Sequence, residues 1–143
     1  MEANADPNCV FCKIVAGQIP CASVLETDEA LAFLDINPLA RGHVLLIPKR
    51  HAAKLDDLNA SQAGGVLRHL PALGKAVRQA TGCQGYNVLQ NNGRVAHQEV
   101  MHVHFHIIPR FKGDDFQFNW PAGGYAEGEI EQVREAIRSA LES

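Results

Sequence analysis

Three histidines spaced two residues apart are the residues of this chain whose type and spacing most clearly imply chemistry. They are His102, His104 and His106, and an apolar residue follows each of them. Side chains alternate between the two faces of an extended strand, so all three imidazoles would share one face, opposite a β-branched and aromatic face. A helix, which turns by about 100° per residue, would scatter them. Residues 98–110 are therefore predicted to be extended, with the strand ended by Pro109.

Imidazole side chains can act as nucleophiles, as metal ligands or as hydrogen-bond donors to an anion. Three aligned imidazoles would repel one another if all were protonated, so the row must be kept at least partly neutral by a metal or by an ordered hydrogen-bond network. A single histidine is most often only a hydrogen-bonded core or surface residue, and His43 and His69 are interpreted in that way. Three histidines in register instead indicate a functional site.

Length and composition bound the class of protein. With 143 residues, 46% of them hydrophobic, the chain is predicted to be a single domain over residues 1–143. The net charge is −3 and there is no run of Lys or Arg, so neither a nucleic-acid polymer nor a membrane surface is expected as partner. The acidic, polar N-terminus and the lack of an apolar run of about 20 residues predict a cytoplasmic protein.

The four cysteines divide into a pair and two single residues. Without an export signal, Cys9 and Cys12, in Cys-x-x-Cys spacing, are interpreted as reduced thiols or as part of a metal site. Two thiolates supply only half of a structural zinc site. Cys21 and Cys83 are predicted to be buried small apolar residues.

The elements that must position these groups follow from the hydrophobic pattern. Short strands are predicted at residues 23–26, 30–35, 43–48 and 86–91, in addition to the histidine strand. Short helical turns are predicted at 10–16, and a main helix from Asn59 to about residue 80. Asn59 and Gln62 fit an N-terminal capping box and Gly82 a C-terminal stop, whereas Pro71 predicts a kink or a break into two helices.

After a loop at residues 113–127, apolar residues at helical spacing predict a C-terminal amphipathic helix over about 130–141. The order of strands and helices predicts an α+β fold with a largely antiparallel sheet of about five strands.

The pattern of the three histidines and the apolar residues between and after them resembles the signature of the histidine-triad (HIT) nucleotide-binding superfamily. Further segments match that family in order and spacing: residues 11–14 with 17–20, 32–36, 42–51 and 91–93. The resemblance covers residues 9–111 and leaves a polar tail at 1–8 and a C-terminal loop and helix at 112–143. It is greatest to small bacterial members close to the nucleoside phosphoramidase branch, and it implies the HIT-like fold.

The resemblance also implies an activity, the hydrolysis or transfer of a nucleoside phosphoramidate or related nucleotide conjugate at its α-phosphorus. The expected ligand is a purine nucleotide, in the form of an AMP conjugate. The implied intermediate is a nucleotidyl-histidine on His104, whose Nδ1–H a backbone carbonyl of the triad strand would hold. His106 would donate to the phosphate oxygens, and His102 is the third implied catalytic residue.

The resemblance assigns further residues to substrate binding. They are Asp35 for the ribose hydroxyls, Asn91 for the phosphate, Gln98, and an apolar base pocket of Val10, Phe11, Ile14, Phe33, Leu34 and Ile36. For the apolar residues the alternative is a purely structural place in the core, and for Asp35 it is the capping of a loop.

Two expectations about assembly also rest on the resemblance. Some bacterial family members close a Cys-x-x-Cys pair with two histidines, which implies a structural zinc held by Cys9, Cys12, His51 and His102. Family members also pair about a two-fold axis, which implies a homodimer with the helix that begins near Asn59 at the contact.

This chain departs from the family pattern at two positions. His97 stands where the family usually has glycine, and Glu99 stands where many phosphoramidase-branch members have a hydroxyl residue. A carboxylate beside a phosphate opposes binding unless it is turned away or protonated. Two rival functions therefore stay open. One is a non-catalytic nucleotide sensor or scaffold, and the other is a metallohydrolase in which the three histidines bind one catalytic zinc.

Overall fold

The computed structural model describes residues 5–143, so residues 1–4 of the predicted polar tail lie outside the described residues. Five strands form one sheet in the order β1-β2-β3-β5-β4, and every neighbouring pair is antiparallel. The strands are β1 Ser23–Glu26, β2 Ala30–Leu34, β3 Val44–Pro48, β4 Gly85–Gln90 and β5 Phe105–Arg110. The predicted α+β class and the largely antiparallel five-stranded sheet are confirmed.

Within residues 5–143, four α-helices accompany the sheet, α1 Val10–Val15, α2 Ala60–Leu67, α3 Leu70–Thr81 and α4 Glu129–Glu142. The predicted capping box forms before α2, because the Asn59 side chain accepts from the Gln62 N–H at 2.8 Å and the Gln62 side chain accepts from the Asn59 N–H at 2.9 Å. Gly82 ends α3 with a φ of +70°. The main helix breaks in two as predicted, since Pro71 lies in the first turn of α3, where no helical N–H bond is lost.

Apolar clusters cover both faces of the sheet. On one face, Val103, Phe105 and Ile107 pack with Val66 of α2 and Leu73 of α3. On the other face the cluster combines β2 and β3 with α1, and its buried members are Cys9, Phe11, Cys12, Leu31, Phe33, Leu45 and Ile47. The alternation predicted for the histidine segment therefore holds, and the imidazoles lie on the α1 side of the sheet.

The limits of the histidine strand differ from the prediction at both ends. β5 begins only at Phe105, since the Val103 N–H donates to the Ala52 carbonyl at 2.8 Å, outside the sheet. His102 and His104 therefore lie before the strand, in the segment that leads into it. Pro109 does not end β5, which continues to Arg110. Pairing with β3 has already stopped at Ile107, so Pro109 is paired only with β4 and occupies an edge-like position where proline is tolerated.

The predicted C-terminal helix is present as α4, and none of its residues is buried. Its apolar residues at helical spacing are exposed, namely Ile130, Val133, Ile137 and Leu141. Within the described part of the chain, no helix is long and apolar enough to cross a membrane.

Candidate functional site

A cavity of about 460 Å³ opens beside the histidines on the α1 side of the sheet. His104 and His106 line it, and so do Asp35 and Asn91. All six residues predicted to form a base pocket also line it: Val10, Phe11, Ile14, Phe33, Leu34 and Ile36. The Phe11 ring meets Phe33 and His104 edge-on, with ring centroids 5.6 and 5.2 Å apart. The volume lies within the range of small-ligand sites.

His104 is held with a free nitrogen lone pair. Its Nδ1–H donates to the backbone carbonyl of His102 at 2.7 Å, so Nε2 carries no proton and keeps its lone pair. Burial lowers the pKa of His104, an effect that the His102 carbonyl and Asp35 oppose. The ring is 8% exposed and borders the cavity, so neutral imidazole can act there as a nucleophile at pH 7.

His43 and His106 form a hydrogen-bonded pair that sets the tautomer of His106. The Leu39 N–H donates to His43 Nδ1 at 3.1 Å, so the proton of the neutral His43 ring is on Nε2. His43 Nε2–H then donates to His106 Nδ1 at 2.9 Å. The remaining nitrogen of His106, Nε2, must carry its proton. His106 is therefore a hydrogen-bond donor, as expected for a group that contacts phosphate oxygens.

Burial is the main cause of the pKa shifts of both rings. It lowers the pKa of His43, against the opposing effect of the Asp35 charge. It lowers the pKa of His106 to about 4, with further lowering by His104 and His43. Both rings are therefore neutral at pH 7, as the hydrogen-bond chain requires.

Asp35 directly follows β2, and its carboxylate lies 3.7 Å from His43 Nε2. One carboxylate oxygen also accepts from the Asn37 N–H at 2.9 Å, so Asp35 caps its own loop. The loop-capping and substrate-binding interpretations are thus compatible, because a carboxylate can accept about four hydrogen bonds. Asn91 follows β4 on the other side of the cavity, where its amide donates to the His97 carbonyl at 3.5 Å.

A second cluster contains the four residues predicted to bind zinc, and their ligand atoms all lie within 4.8 Å of one another. The Sγ atoms of Cys9 and Cys12 lie 3.4 and 3.6 Å from His102 Nδ1. His51 Nδ1 lies 3.3 Å from Cys12 Sγ and 3.3 Å from His102 Nδ1. A tetrahedral ion with Zn–S of about 2.3 Å and Zn–N of about 2.0 to 2.1 Å requires ligand separations of about 3.3 to 3.8 Å.

The surroundings of this cluster also suit a metal ion. His102 Nε2–H donates to the Pro48 carbonyl at 2.8 Å, which leaves Nδ1 unprotonated and directed at the two sulfurs. The Cys9 sulfur accepts from the Cys12 N–H at 3.4 Å, and the Cys12 sulfur from the Asp6 N–H at 3.4 Å. These residues therefore form a potential metal site, and all four cysteines of the chain are free thiols.

Two predicted site residues, one expected to be catalytic and one to bind substrate, lie outside the cavity lining. His102 is 0% exposed, does not line the cavity and uses both ring nitrogens away from it. Gln98 is 2% exposed and is also absent from the lining. Its Oε1 accepts from the Gly93 N–H at 2.7 Å, and its Nε2 donates to the carbonyls of Ala53 and Val100 at 2.6 and 3.0 Å. The structure places both residues behind the cavity wall, where they hold other groups.

Both departures from the family pattern border the cavity. His97 has a φ of +71°, in the left-handed region that glycine adopts most easily. Glu99 is exposed and lines the cavity beside Val100.

Sequence reasoning assigned no function to some residues that line or support the cavity. His43, interpreted from the sequence as an ordinary hydrogen-bonded residue, is hydrogen-bonded to His106, which lines the cavity. Its position in the matching segment 42–51 is the sequence feature that indicates this role. Ile19 and Pro20 line the cavity and belong to the matching segment 17–20. Cys83 is buried as predicted, whereas Cys21 is only half-buried and lines the cavity.

The family model for the HIT domain matches residues 16–113. The adenosine 5'-monophosphoramidase of Schizosaccharomyces pombe is 47% identical over 135 residues, which are 94% of this chain and 98% of that protein.

Two solved structures are also similar to this chain. A HIT family member from Bacillus subtilis superposes with a TM-score of 0.88 at 39% identity, covering 92% of this chain and 96% of that one. A zinc-bound histidine triad family protein from Mycobacterium smegmatis gives a TM-score of 0.68 at 34% identity, with 94% and 96% covered. With its triad, its sheet and these relatives, the chain belongs to the HIT family.

Proposed function

We propose that this protein is a nucleotide hydrolase that cleaves a nucleoside phosphoramidate or related AMP conjugate at its α-phosphorus, through a nucleotidyl-histidine intermediate on His104. The single observation that carries the proposal is the hydrogen bond of 2.7 Å from His104 Nδ1–H to the His102 carbonyl. It leaves the Nε2 lone pair of a neutral imidazole beside a cavity that fits a nucleotide. The similarity to a monophosphoramidase supports the substrate class.

In the first step, the Nε2 lone pair of His104 bonds to the α-phosphorus while the phosphorus–nitrogen bond of the substrate breaks. The leaving amine keeps the electron pair of that bond and takes up a proton from solvent. His106 Nε2–H donates to the phosphoryl oxygens, where negative charge increases in the transition state. The result is an adenylyl group on a positively charged imidazolium ring.

In the second step, a water oxygen bonds to phosphorus and the bond from phosphorus to His104 Nε2 breaks. The electron pair returns to Nε2, and the proton lost by water restores the proton balance. One water is consumed, and the products are AMP and the free amine. Covalent catalysis of this kind replaces one difficult displacement by two easier ones.

The remaining cavity residues fit the parts of such a substrate. Asp35 would accept from the ribose hydroxyls, and Asn91 would donate to the phosphate. Phe11, Ile14 and Phe33, with the neighbouring apolar residues, would enclose a purine base. Gln98 and His102 act as positioning residues in this proposal, since the first holds the loop 91–100 and the second provides the carbonyl that orients His104.

The experiment that tests the proposal is the trapping of a labelled nucleotide on the protein. The enzyme is mixed with an AMP phosphoramidate labelled at phosphorus and quenched within milliseconds, and the labelled residue is mapped. Label on His104, absent from a His104→Ala variant, is the expected result. Neither a nucleotide sensor nor a metallohydrolase would form this adduct, so turnover without an adduct would overturn the proposed intermediate.

The metallohydrolase alternative also conflicts with the geometry, because His102 is the member of the triad that belongs to the four-ligand cluster. We propose zinc as the ion of that cluster, supported by the donor set and by the zinc-bound relative. Cys9 lies directly before α1 and Cys12 lies within it. Bound zinc would therefore link α1 to His51 and His102. With four protein ligands it would have no open position for water, and its contribution would be structural.

Two further expectations stay proposals. We propose a homodimer, supported by the exposed apolar residues of α4 and by Tyr86 and Val88, which are exposed on the edge strand β4. Paired copies would cover such surfaces. A cytoplasmic location stays a prediction from the sequence.

A further inference from the structure

Glu99 is an unpaired carboxylate at a position fixed by its neighbours. Within residues 5–143 it makes no hydrogen bond and no ion pair, although its side chain lines the cavity. The preceding residue, Gln98, is buried and makes three hydrogen bonds of 2.6 to 3.0 Å to the surrounding backbone. The backbone that carries Glu99 is therefore held in place, while the charge is left without a partner.

The sheet order defines where this charge lies relative to the reacting groups. Asp35 follows β2, and the segment that contains Asn91 and Glu99 follows β4. Strands β3 and β5, which lie between them, position His43 and His106. Glu99 is thus on the opposite side of the histidines from Asp35. With the ribose at Asp35 and the α-phosphorus at His104, the leaving group extends toward Glu99.

Among the described residues that line the cavity there is no Lys or Arg, so none carries a fixed positive charge. Its titratable side chains are the carboxylates of Asp35 and Glu99, the thiol of Cys21 and the imidazoles of His97, His104 and His106. The His106 ring adds no charge at pH 7, since its pKa is lowered to about 4. A single phosphate can be bound by neutral N–H donors, but a second anionic group beyond it would meet Glu99 with no cation to offset the repulsion.

We infer that Glu99 is a specificity-determining residue that selects AMP conjugates whose leaving group carries a positive charge, such as an amine with a second ammonium group. This inference rests on the proposed function and narrows its substrate class. Conjugates whose leaving group is a phosphate or carries a carboxylate are poor substrates for the same reason. The departure from the hydroxyl residue usual at position 99 then changes which leaving group is accepted.

The test compares three AMP phosphoramidates whose leaving groups share a four-carbon chain and differ in charge. The amines are 1,4-diaminobutane, which leaves a free ammonium, n-butylamine, which is neutral, and 4-aminobutyrate, which leaves a free carboxylate. All three break the same type of phosphorus–nitrogen bond. At low salt, the expected kcat/KM falls by about threefold to fivefold from the cationic to the neutral conjugate and again to the anionic one, the size of exposed charge–charge effects.

Three variants test whether Glu99 causes this order of kcat/KM values. Glu99→Gln is expected to bring the three values within about twofold of one another, and Glu99→Lys is expected to reverse their order. Glu127→Gln, which removes an exposed carboxylate outside the cavity lining, is the matched control and is expected to keep the wild-type order.

The possible failures are distinguishable. Equal kcat/KM values for the three conjugates in the wild type would overturn the inference, as would a wild-type order that persists in Glu99→Gln. In either case, turnover of the neutral conjugate would still support the proposed function. Absence of turnover with all three conjugates would overturn both.

Discussion

The two histidine clusters on the α1 side of the sheet use similar side chains in opposite ways. In the pair that borders the cavity, His43 Nε2 and His106 Nδ1 are 2.9 Å apart and share one proton as donor and acceptor. The second cluster, termed the buried cluster, is formed by Cys9, Cys12, His51 and His102. In it, the Nδ1 atoms of His51 and His102 are 3.3 Å apart, with the two sulfurs at similar distances. In the first cluster one ring donates a proton to the other, whereas in the second cluster four possible ligand atoms lie within 4.8 Å of one another.

The difference shows that the direction of the ring protons, rather than the number of histidines, decides what a cluster can do. Asp35, His43 and His106 also lie close enough to be considered as metal ligands. Their nitrogens, however, already satisfy each other, and the Leu39 N–H fixes the order of donors. At the buried cluster, the Pro48 carbonyl takes the His102 proton on the far side of the ring, so the lone pair points inward.

His102 connects the two regions. Its ring belongs to the potential metal site, and its backbone carbonyl accepts a hydrogen bond from His104 Nδ1–H. An ion that fixes the ring would therefore also fix the carbonyl that orients the nucleophile. Variants that affect only one of the two regions can therefore separate their contributions.

The first variant removes the proposed nucleophile in the cavity and leaves the buried cluster intact. His104→Ala removes the attacking atom but leaves the contacts proposed for the base, ribose and phosphate, so turnover should fall by roughly a thousandfold or more while nucleotide affinity stays within about tenfold. Steady-state rates and calorimetric titration with AMP measure the two effects. His69→Gln is the control, since His69 lies outside the cavity lining and outside both clusters. Substantial activity in His104→Ala would contradict the assigned nucleophile.

The second variant breaks the buried cluster. Cys9→Ser is expected to lower the zinc content from one per chain toward zero and the melting temperature by about 10 °C or more, because binding of a structural metal contributes directly to folding. A chelator should lower the wild-type melting temperature to that of the variant and leave the variant unchanged.

Cys21→Ser serves as the matched control for this variant, since Cys21 is a free thiol outside the cluster. Zinc well below one per chain in protein purified reduced and without chelator would count against the site, as would an unchanged melting temperature for Cys9→Ser.

The third variant tests the far side of the cavity. Asp35→Ala should weaken ribonucleotides by tenfold or more, since loss of a charge-assisted hydrogen-bond pair costs about 1.5 to 3 kcal/mol, and should weaken 2′-deoxynucleotides far less. Competition binding with the two nucleotides measures the difference. Equal losses for both would show that the loop contact of Asp35 with the Asn37 N–H is its main role.

The sequence predicted the two regions to different degrees, for physical reasons. The four residues of the potential metal site were all predicted, because Cys-x-x-Cys spacing indicates a half site and the family resemblance supplied the distant histidine pair. The triad face was also predicted, because period-2 alternation depends only on local geometry.

The tautomers could not be predicted from the sequence. They depend on backbone partners far along the chain, such as the Pro48 carbonyl for His102. Burial of Gln98 was missed for a similar reason, since an amide beside a catalytic strand can face either the ligand or the backbone. The sequence alone does not distinguish the two.

The fourth variant pair tests the shared proton of the cavity cluster. His43→Leu removes the donor to His106 Nδ1, so His106 can adopt the wrong tautomer, and kcat should fall by about tenfold with little change in KM. His43→Gln keeps an amide N–H that can replace the imidazole donor and should restore much of the loss. Equal losses in the two variants, with equal loss of stability, would mean that His43 only fills space. Zinc content should stay unchanged in both.

The smallest expected effect concerns backbone strain, which distinguishes the cavity loop from the buried cluster. Among the described residues, His97 is the non-glycine residue with a positive φ, at +71°, and such a conformation costs on the order of 1 kcal/mol. His97→Gly should therefore raise the melting temperature by about 3 °C. His97→Ala is the matched control, because it removes the imidazole and retains the strain. If the Gly and Ala variants melt together, the strain does not contribute, and any change comes from the lost ring. If only His97→Gly raises the melting temperature and the zinc content stays the same, then the backbone strain at His97 lowers stability. That strain would lie in the loop bordering the cavity and would be independent of the buried cluster.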